Sequence, residues 1–242
     1  MIINCQPCIQ PCIASQLCFP YFPFKLSSYD LTKLENIIVR NPPLQKGELL
    51  FQCGDRLTAL YVIRSGVIKS YKVTSGSGKK QITAFYSMGD VLGLDAINNL
   101  CYSTSTKALD TSMVCAIPFE PLERLSNQIP SLRRQLLQLM SRHIQDVQEN
   151  LSIVKKSAKA RLAAFIYKSI SNRCRYGFSP SILHLPMSRT DISNYLGVSL
   201  ETVSRLFNNL QRCGIITTKG RYVTIHDNDK LARLAQYENF II

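Results

Sequence analysis

The sequence contains no uncharged apolar run long enough to cross a bilayer. Its first 24 residues do lack charged side chains, but four prolines and three glutamines interrupt them, and the basic residues that begin a signal peptide are missing. We therefore expect no membrane segment and a cytoplasmic location. Disulfides rarely persist in the cytoplasm, so clustered cysteines there more often bind metal.

Histidine is scarce, and its distribution argues against an enzyme. The three histidines, His143, His184 and His226, lie far apart and follow no metal-ligand spacing. The sequence also has no phosphate-binding loop and no nucleophile elbow. A thiol oxidoreductase or a metal-dependent hydrolase is therefore disfavoured.

Positive charge is abundant and unevenly distributed. The formal net charge is +13, and residues 121–242 carry 18 Lys and Arg against 8 Asp and Glu. A basic half of this kind is expected of a protein that neutralises phosphates in nucleic acid. An anionic membrane surface or an acidic protein partner would fit the charge alone equally well.

The chain divides into a β-rich part followed by a helical part. Between about Leu44 and Pro118, short β-branched and aromatic runs, including 49–51, alternate with glycine-containing turns, which predicts a compact β-roll. The expected class is α+β, with a leader at 1–24, a β-roll sensor domain at 25–120, a dimerisation helix at 121–157 and a DNA-binding domain at 158–242.

An apolar stripe at heptad spacing predicts the dimerisation helix. Its residues are separated by alternating steps of three and four, and polar side chains occupy the outer positions beyond the second of them. A narrow stripe favours a coiled-coil homodimer, although packing on the chain's own roll stays open. The stripe consists of Leu137, Met140, Ile144, Val147, Leu151 and Val154.

Two short helices near the C-terminus predict a winged helix-turn-helix. Ser188 is placed to cap the first helix, Gly197 to end it, and Ser199 to cap the second, which would be the recognition helix. A hairpin with a basic tip follows as the wing. Glutamate, arginine and serine have the chemistry to read base edges, and basic residues suit phosphates. Candidate DNA contacts are Arg189, Ser199, Glu201, Thr202, Ser204, Arg205, Lys219 and Arg221.

Four cysteines crowd into the leader. Their thiolates can surround one centre, and thiolates are ligands of both iron–sulfur clusters and zinc. The four residues are Cys5, Cys8, Cys12 and Cys18. The gaps of three and five residues suit a larger cluster, whereas zinc sites usually bring paired short spacings. A redox pair is disfavoured because no βαβ pattern surrounds it. The isolated cysteines, at 53, 101, 174 and 213, are expected to fill core positions.

Several strings resemble the CRP/FNR superfamily, and within it the oxygen-responsive FNR type. The resemblance covers nearly the whole chain and implies a cyclic-nucleotide-binding-like β-roll joined to a winged helix-turn-helix. Its most specific segments are 15–18, 63–66, 68–71, 111–115, 161–167 and 194–197.

The resemblance implies a [4Fe–4S] cluster whose loss in oxygen weakens the dimer and lowers DNA affinity. Its implied ligands are Cys8, Cys12, Cys18 and Cys115, with Cys5 as the alternative to Cys8 because three residues, not two, separate Cys8 from Cys12. A structural zinc site without oxygen sensing is the alternative. At the seam position where FNR-type proteins tend to place a carboxylate, this chain has Val147, or Asp146 if the alignment shifts by one residue. Val147 at this position predicts a tighter and less oxygen-dependent dimer.

The resemblance also implies the partners. Glu201, Ser204 and Arg205 match the base-reading trio, which implies double-stranded DNA with palindromic TTGAT-like half-sites, and RNA polymerase is the implied protein partner. A cyclic nucleotide is not expected. Residues 89–95 offer neither a glutamate for the ribose nor an arginine for the phosphate.

Overall fold

The computed structural model describes residues 26–74, 76 and 78–235. The four leader cysteines, Cys5, Cys8, Cys12 and Cys18, therefore lie outside the described residues. Within these residues, no helix combines the length with the apolar character that crossing a membrane requires.

The first part of the chain forms the predicted β-roll. Helix α1 (Ser28–Glu35) is followed by strands β1 (Val39–Arg40), β2 (Ala59–Ser65), β3 (Ile68–Val73), β4 (Lys80–Tyr86), β5 (Val91–Leu92), β6 (Ser105–Ala108) and β7 (Met113–Pro118). These strands form two sheets, one with strand order β1-β7-β2-β5 and one with order β4-β3-β6. Antiparallel pairs connect neighbouring strands, for example Tyr61 with Ala116.

One of the predicted strand segments is not a strand. Leu49 makes only an isolated bridge to Lys107, so residues 49–51 run beside β6 without forming a ladder. Leu50 packs half-buried against the core of the roll, whereas Leu49 is exposed. Phe51 is buried and stacks on Tyr102, with ring centroids 3.8 Å apart.

Two helices follow the roll where residues 121–157 were expected to form one. Helix α2 (Phe119–Gln128) ends at Ile129, and helix α3 begins at Pro130 and continues to Val154. Proline suits the first turn of a helix because the backbone N–H that it lacks would not be hydrogen-bonded within the helix there. It disrupts a helix that began earlier in the chain, because an N–H inside a helix has an acceptor. Ile129 and Leu132 bury this corner against the roll.

The C-terminal part has its own apolar core. Its elements are α4 (Ala158–Cys174), β8 (Ile182–His184), α5 (Arg189–Leu196), α6 (Leu200–Arg212), β9 (Ile216–Lys219), β10 (Tyr222–Ile225) and α7 (Asn228–Ala235). They include the predicted pair of short helices and the wing, together with strand β8, which was not predicted. Strand β8 pairs with β10 at the edge of the wing sheet.

The two parts of the chain touch at the turn between β4 and β5. Gly89 in this turn has φ +84°, a conformation that favours glycine. The ring of Tyr176, from the segment between α4 and β8, lies directly against it, and a side-chain carbon at position 89 would collide with that ring. The backbone angle therefore favours glycine at position 89, and a larger residue there would displace the end of the Tyr176 side chain.

Candidate nucleic-acid interface and sensor cysteine

Helix α5 begins and ends at the predicted residues. The Ser188 hydroxyl accepts a hydrogen bond from the backbone N–H of Asp191 (3.0 Å), and the Asp191 carboxylate accepts one from the backbone N–H of Ser188 (3.1 Å). This reciprocal cap satisfies donors that the first turn leaves unpaired. Gly197 closes the helix in the left-handed conformation, with φ 65°.

Helix α6 presents one buried and one exposed face. The Ser199 hydroxyl caps it by accepting from the backbone N–H of Thr202 (3.2 Å). Val203, Leu206, Phe207 and Leu210 are buried in the C-terminal core. The opposite face is exposed and carries the three predicted base-reading residues and a fourth residue one turn further on: Glu201, Ser204, Arg205 and Asn208.

Glu201 lies on this exposed face in its charged form. Hydrogen bonds from its own backbone N–H and from the Ser199 hydroxyl lower the pKa of the Glu201 carboxyl. A carboxylate accepts hydrogen bonds but cannot donate them at neutral pH. Glu201 is therefore suited to a base that offers an amino group.

Three of the candidate DNA contacts have structural partners within the motif. The Ser199 hydroxyl also bonds the half-buried Thr202 hydroxyl, 3.0 Å away. The Arg189 guanidinium lies 3.3 Å from the centre of the Phe207 ring, and burial lowers its pKa. The Arg189 contact joins α5 to α6, and the Ser199–Thr202 bond closes the first turn of α6, so all three residues shape the motif whether or not they touch DNA.

The wing is fastened to the recognition helix. Strands β9 and β10 pair in register and turn at Gly220, which leaves Lys219 and Arg221 exposed at the predicted basic tip. The side-chain oxygen of Gln211 in α6 accepts from both the backbone N–H and the hydroxyl of Thr218 in β9, each at 3.0 Å. Neither Gln211 nor Asn208 was predicted, because their roles depend on which face of α6 the wing leaves exposed.

The predicted heptad stripe on α3 is exposed for most of its length. Met140 is half-buried and packs on the core of the roll, so the first part of α3 belongs to that core. The Asp146 carboxylate is 3.0 Å from the Lys168 ammonium in α4, which leaves Val147 as the residue on the stripe. Exposed fractions are 62% for Leu137, 57% for Ile144, 46% for Val147, 64% for Leu151 and 59% for Val154.

Cys115 is the one candidate cluster ligand among the described residues. It lies on β7, paired with Arg40 of β1 and Val62 of β2, and its side chain is buried. Among the residues that the structure describes, no three His, Cys, Asp or Glu side chains come together. A metal centre that includes Cys115 must therefore take its other protein ligands from outside this part of the chain.

Three of the four isolated cysteines do not fill the core as predicted. Cys53, Cys101 and Cys213 are exposed, whereas Cys174 is half-buried and packs against the C-terminal core. Cys53 lies on a loop of the roll, where its thiol donates to the Ser103 carbonyl at 3.4 Å. The prediction was wrong for the three exposed cysteines because isolated residues carry no periodic pattern from which burial can be inferred.

Two domain families and a set of named regulators are similar to this chain. A Crp-like helix-turn-helix domain matches residues 160–234, and a cyclic nucleotide-binding domain matches residues 43–128. The fumarate and nitrate reduction regulatory proteins of Yersinia pestis and Escherichia coli K12 are each 48% identical to it over 96% of this chain, covering 90% and 92% of their own lengths.

A solved structure shows the same architecture. FixK2 from Bradyrhizobium japonicum superposes with a TM-score of 0.75 and 26% identity, over 83% of this chain and 100% of that one. The relatives are transcription regulators rather than enzymes. The chain therefore belongs to the CRP/FNR superfamily and is a DNA-binding transcription regulator of the FNR type.

Proposed function

We propose that this regulator senses oxygen through a [4Fe–4S] cluster and controls anaerobic gene expression in the cytoplasm. The observation that carries the proposal is the buried Cys115 thiol on β7, in a chain whose leader supplies four more cysteines within fourteen residues. Thiolates are the ligands that such clusters require. Cys8, Cys12, Cys18 and Cys115 would hold the cluster, with Cys5 as the alternative to Cys8.

The donor set fits this group. Cys115 lies on a paired strand, so its backbone position is rigid, and the leader would supply the remaining thiolates. When bound, the cluster would supply an oxygen-labile link between leader and roll. Helix α3 packs its first turns on the same roll core, so the state of the roll can bias the helix that carries the dimer stripe.

The dimer is the second part of the proposal. A stripe of five exposed apolar side chains on α3, spaced for a coiled coil, suits a second copy of the chain. A homodimer related by a two-fold axis would present two recognition helices to two half-sites. We infer a palindromic site with TTGAT-like half-sites, and RNA polymerase as the further partner at promoters.

Base reading would use the exposed face of α6. Arg205 can donate to O6 and N7 of guanine, and Glu201 can accept from the amino group of cytosine. Ser204 lies between them on the same face and can act as donor or acceptor. The basic wing tip, with Lys219 and Arg221, would contact phosphates and position the motif without reading sequence.

The spectrum of anaerobically purified protein tests the cluster. We expect a brown protein that contains iron and sulfide and bleaches in air, and we expect Cys5→Ala and Cys8→Ala to differ, with only one of them losing iron. A colourless wild-type protein that contains zinc would contradict the proposal and establish the structural zinc alternative.

Removal of the Arg205 side chain tests base reading. We expect Arg205→Ala to lower affinity for the TTGAT-like palindrome by roughly 30-fold or more and to relax discrimination at the guanine, because a bidentate contact of this type is worth about 1–3 kcal/mol and is lost from both half-sites. Fluorescence anisotropy at fixed salt, with sites changed at the guanine, measures both effects.

A matched charge removal serves as the control. Arg124→Ala removes an exposed arginine from α2, far along the chain from the motif, where it makes only a long ion pair of 3.9 Å with Glu120. We expect this variant to retain the wild-type preference for guanine. An Arg205→Ala protein with unchanged base preference would show that Arg205 does not read the base.

A further inference from the structure

The side chain of Asn194 in α5 pairs with the edge of the roll. Strand β4 is the outer strand of its three-stranded sheet, so alternate backbone groups point away from β3. The Asn194 side-chain oxygen accepts from the Ile82 N–H (2.7 Å), and its side-chain nitrogen donates to the Lys80 carbonyl (2.8 Å). One amide thus occupies the donor and the acceptor that another strand would use.

Two more residues connect α5 with the same sheet. The Gln81 side chain donates to the Asn194 backbone carbonyl at 3.1 Å. The Lys69 ammonium on β3 forms an ion pair with the Asp191 carboxylate, and both side chains are less than one-fifth exposed. Burial by itself would raise the pKa of Asp191, but the hydrogen bonds from Lys69 and Ser188 outweigh it and hold the pKa below its usual value.

An aromatic cluster completes the contact on the same face of α5. The Tyr195 ring lies edge-on to Phe85 of β4, with centroids 5.1 Å apart, and 5.8 Å from Phe165 of α4. Asp191, Asn194 and Tyr195 are separated by three and four positions, so they share one side of the helix. The first helix of the DNA-binding motif is therefore held on the roll by ionic, amide and aromatic contacts.

We propose that Asn194 is a positioning residue for DNA binding, which sets the angle of the recognition helix relative to the roll and α3. Helix α6 packs on α5 through the Arg189 and Phe207 contact, so it follows α5. In the homodimer of the proposed function, on which this inference rests, the angle determines the distance between the two recognition helices. A fixed distance selects one spacing of half-sites.

The pairing depends on an amide at position 194. A carboxylate there can still accept from Ile82, but it has no hydrogen to donate and would bring its charge against the Lys80 carbonyl. An alanine would leave both backbone groups without this partner. Neither change touches the exposed face of α6, so the reading of a single half-site should be preserved while the orientation of the motif is loosened.

A spacing series on the full-length protein tests the proposal. Affinities of wild type, Asn194→Asp, Asn194→Ala and Lys69→Met are measured anaerobically for a single half-site and for palindromes with progressively longer and shorter spacers. Asn99→Ala is the matched control because Asn99 is an exposed amide on the roll, outside the contact with α5. Thermal melting of each variant is recorded in parallel.

We expect wild type and Asn99→Ala to lose about 10-fold or more in affinity when the spacer departs from its best length. For Asn194→Asp we expect this preference to fall to about threefold, with single half-site affinity within about twofold of wild type. Lys69→Met should show the same change to a smaller extent.

Four results would overturn the proposal. An Asn194→Asp protein with the wild-type spacing preference would show that Asn194 does not set the distance. A uniform loss on every site, including the single half-site, would assign Asn194 a role in folding only, and tighter binding at the best spacing would make the contact inhibitory. If wild type itself had no spacing preference, the dimer of the proposed function would fail as well, which separates the two ideas.

Discussion

Serine in place of Cys115 is expected to abolish cluster assembly and, with it, high-affinity DNA binding in the absence of oxygen. The hydroxyl is a poor substitute for a thiolate ligand of iron. Because the residue is buried on a paired strand, the substitution also carries a folding cost of about 1–3 kcal/mol from placing a hydroxyl in a protein interior. We expect iron content near background and a fall in anaerobic DNA affinity of roughly 100-fold.

The comparison with Cys174→Ser isolates the ligand role. Cys174 is a half-buried thiol at the end of α4, so its replacement imposes a related cost on the fold without removing a proposed ligand. Iron and sulfide analysis, thermal melting and anaerobic DNA binding are measured on both variants. A Cys115→Ser protein that kept a full complement of iron would refute Cys115 as a ligand.

Aspartate in place of Val147 is expected to convert the dimer to a monomer. Val147 lies on the exposed stripe of α3 beside Ile144 and Leu151, so the substitution has little effect on the isolated chain. In a two-fold dimer it would bring two carboxylates into one apolar seam. Like charges facing each other cost several kcal/mol, which corresponds to roughly a 100-fold weaker association.

Sedimentation of cluster-loaded and cluster-free protein at micromolar concentration measures the effect. Gln148→Asp adds the same charge to an exposed position of α3 off the stripe and should remain dimeric. The wild-type chain, with valine at this position, is expected to dimerise more tightly and with less dependence on oxygen than a chain with a carboxylate there. Monomeric wild-type protein without the cluster at micromolar concentration would disprove that expectation.

Features that depend on local chemistry could be predicted from the sequence. Ser188, Gly197 and Ser199 each favour one backbone conformation through their own side chains, or the lack of one, so the ends of α5 and α6 follow from residue type and spacing. The alternation of short β-branched runs with glycine turns likewise predicted the roll, and two capped helices predicted the winged helix-turn-helix. Pro130, which can begin a helix but not continue one, also marks the boundary between α2 and α3.

Features that depend on distant contacts could not be predicted. In the sequence, Asn194 looks like an ordinary polar residue of a short helix. Its pairing with β4 depends on how the C-terminal part packs against the roll. The exposure of Cys53 and Cys101 depends on how the loops of the roll pack against each other. Strand β8 forms only because β10, which lies far along the chain, pairs with it. None of these contacts leaves a periodic pattern in the chain.

The close approach of Tyr176 to Gly89 limits how this protein can recombine with its relatives. A chimera that joins its roll to a foreign DNA-binding domain would inherit the glycine without the aromatic ring that fills the space above it. The reverse graft would press the ring against any side chain at position 89. A hybrid that takes positions 89 and 176 from the same parent keeps the glycine and the ring matched and avoids this clash.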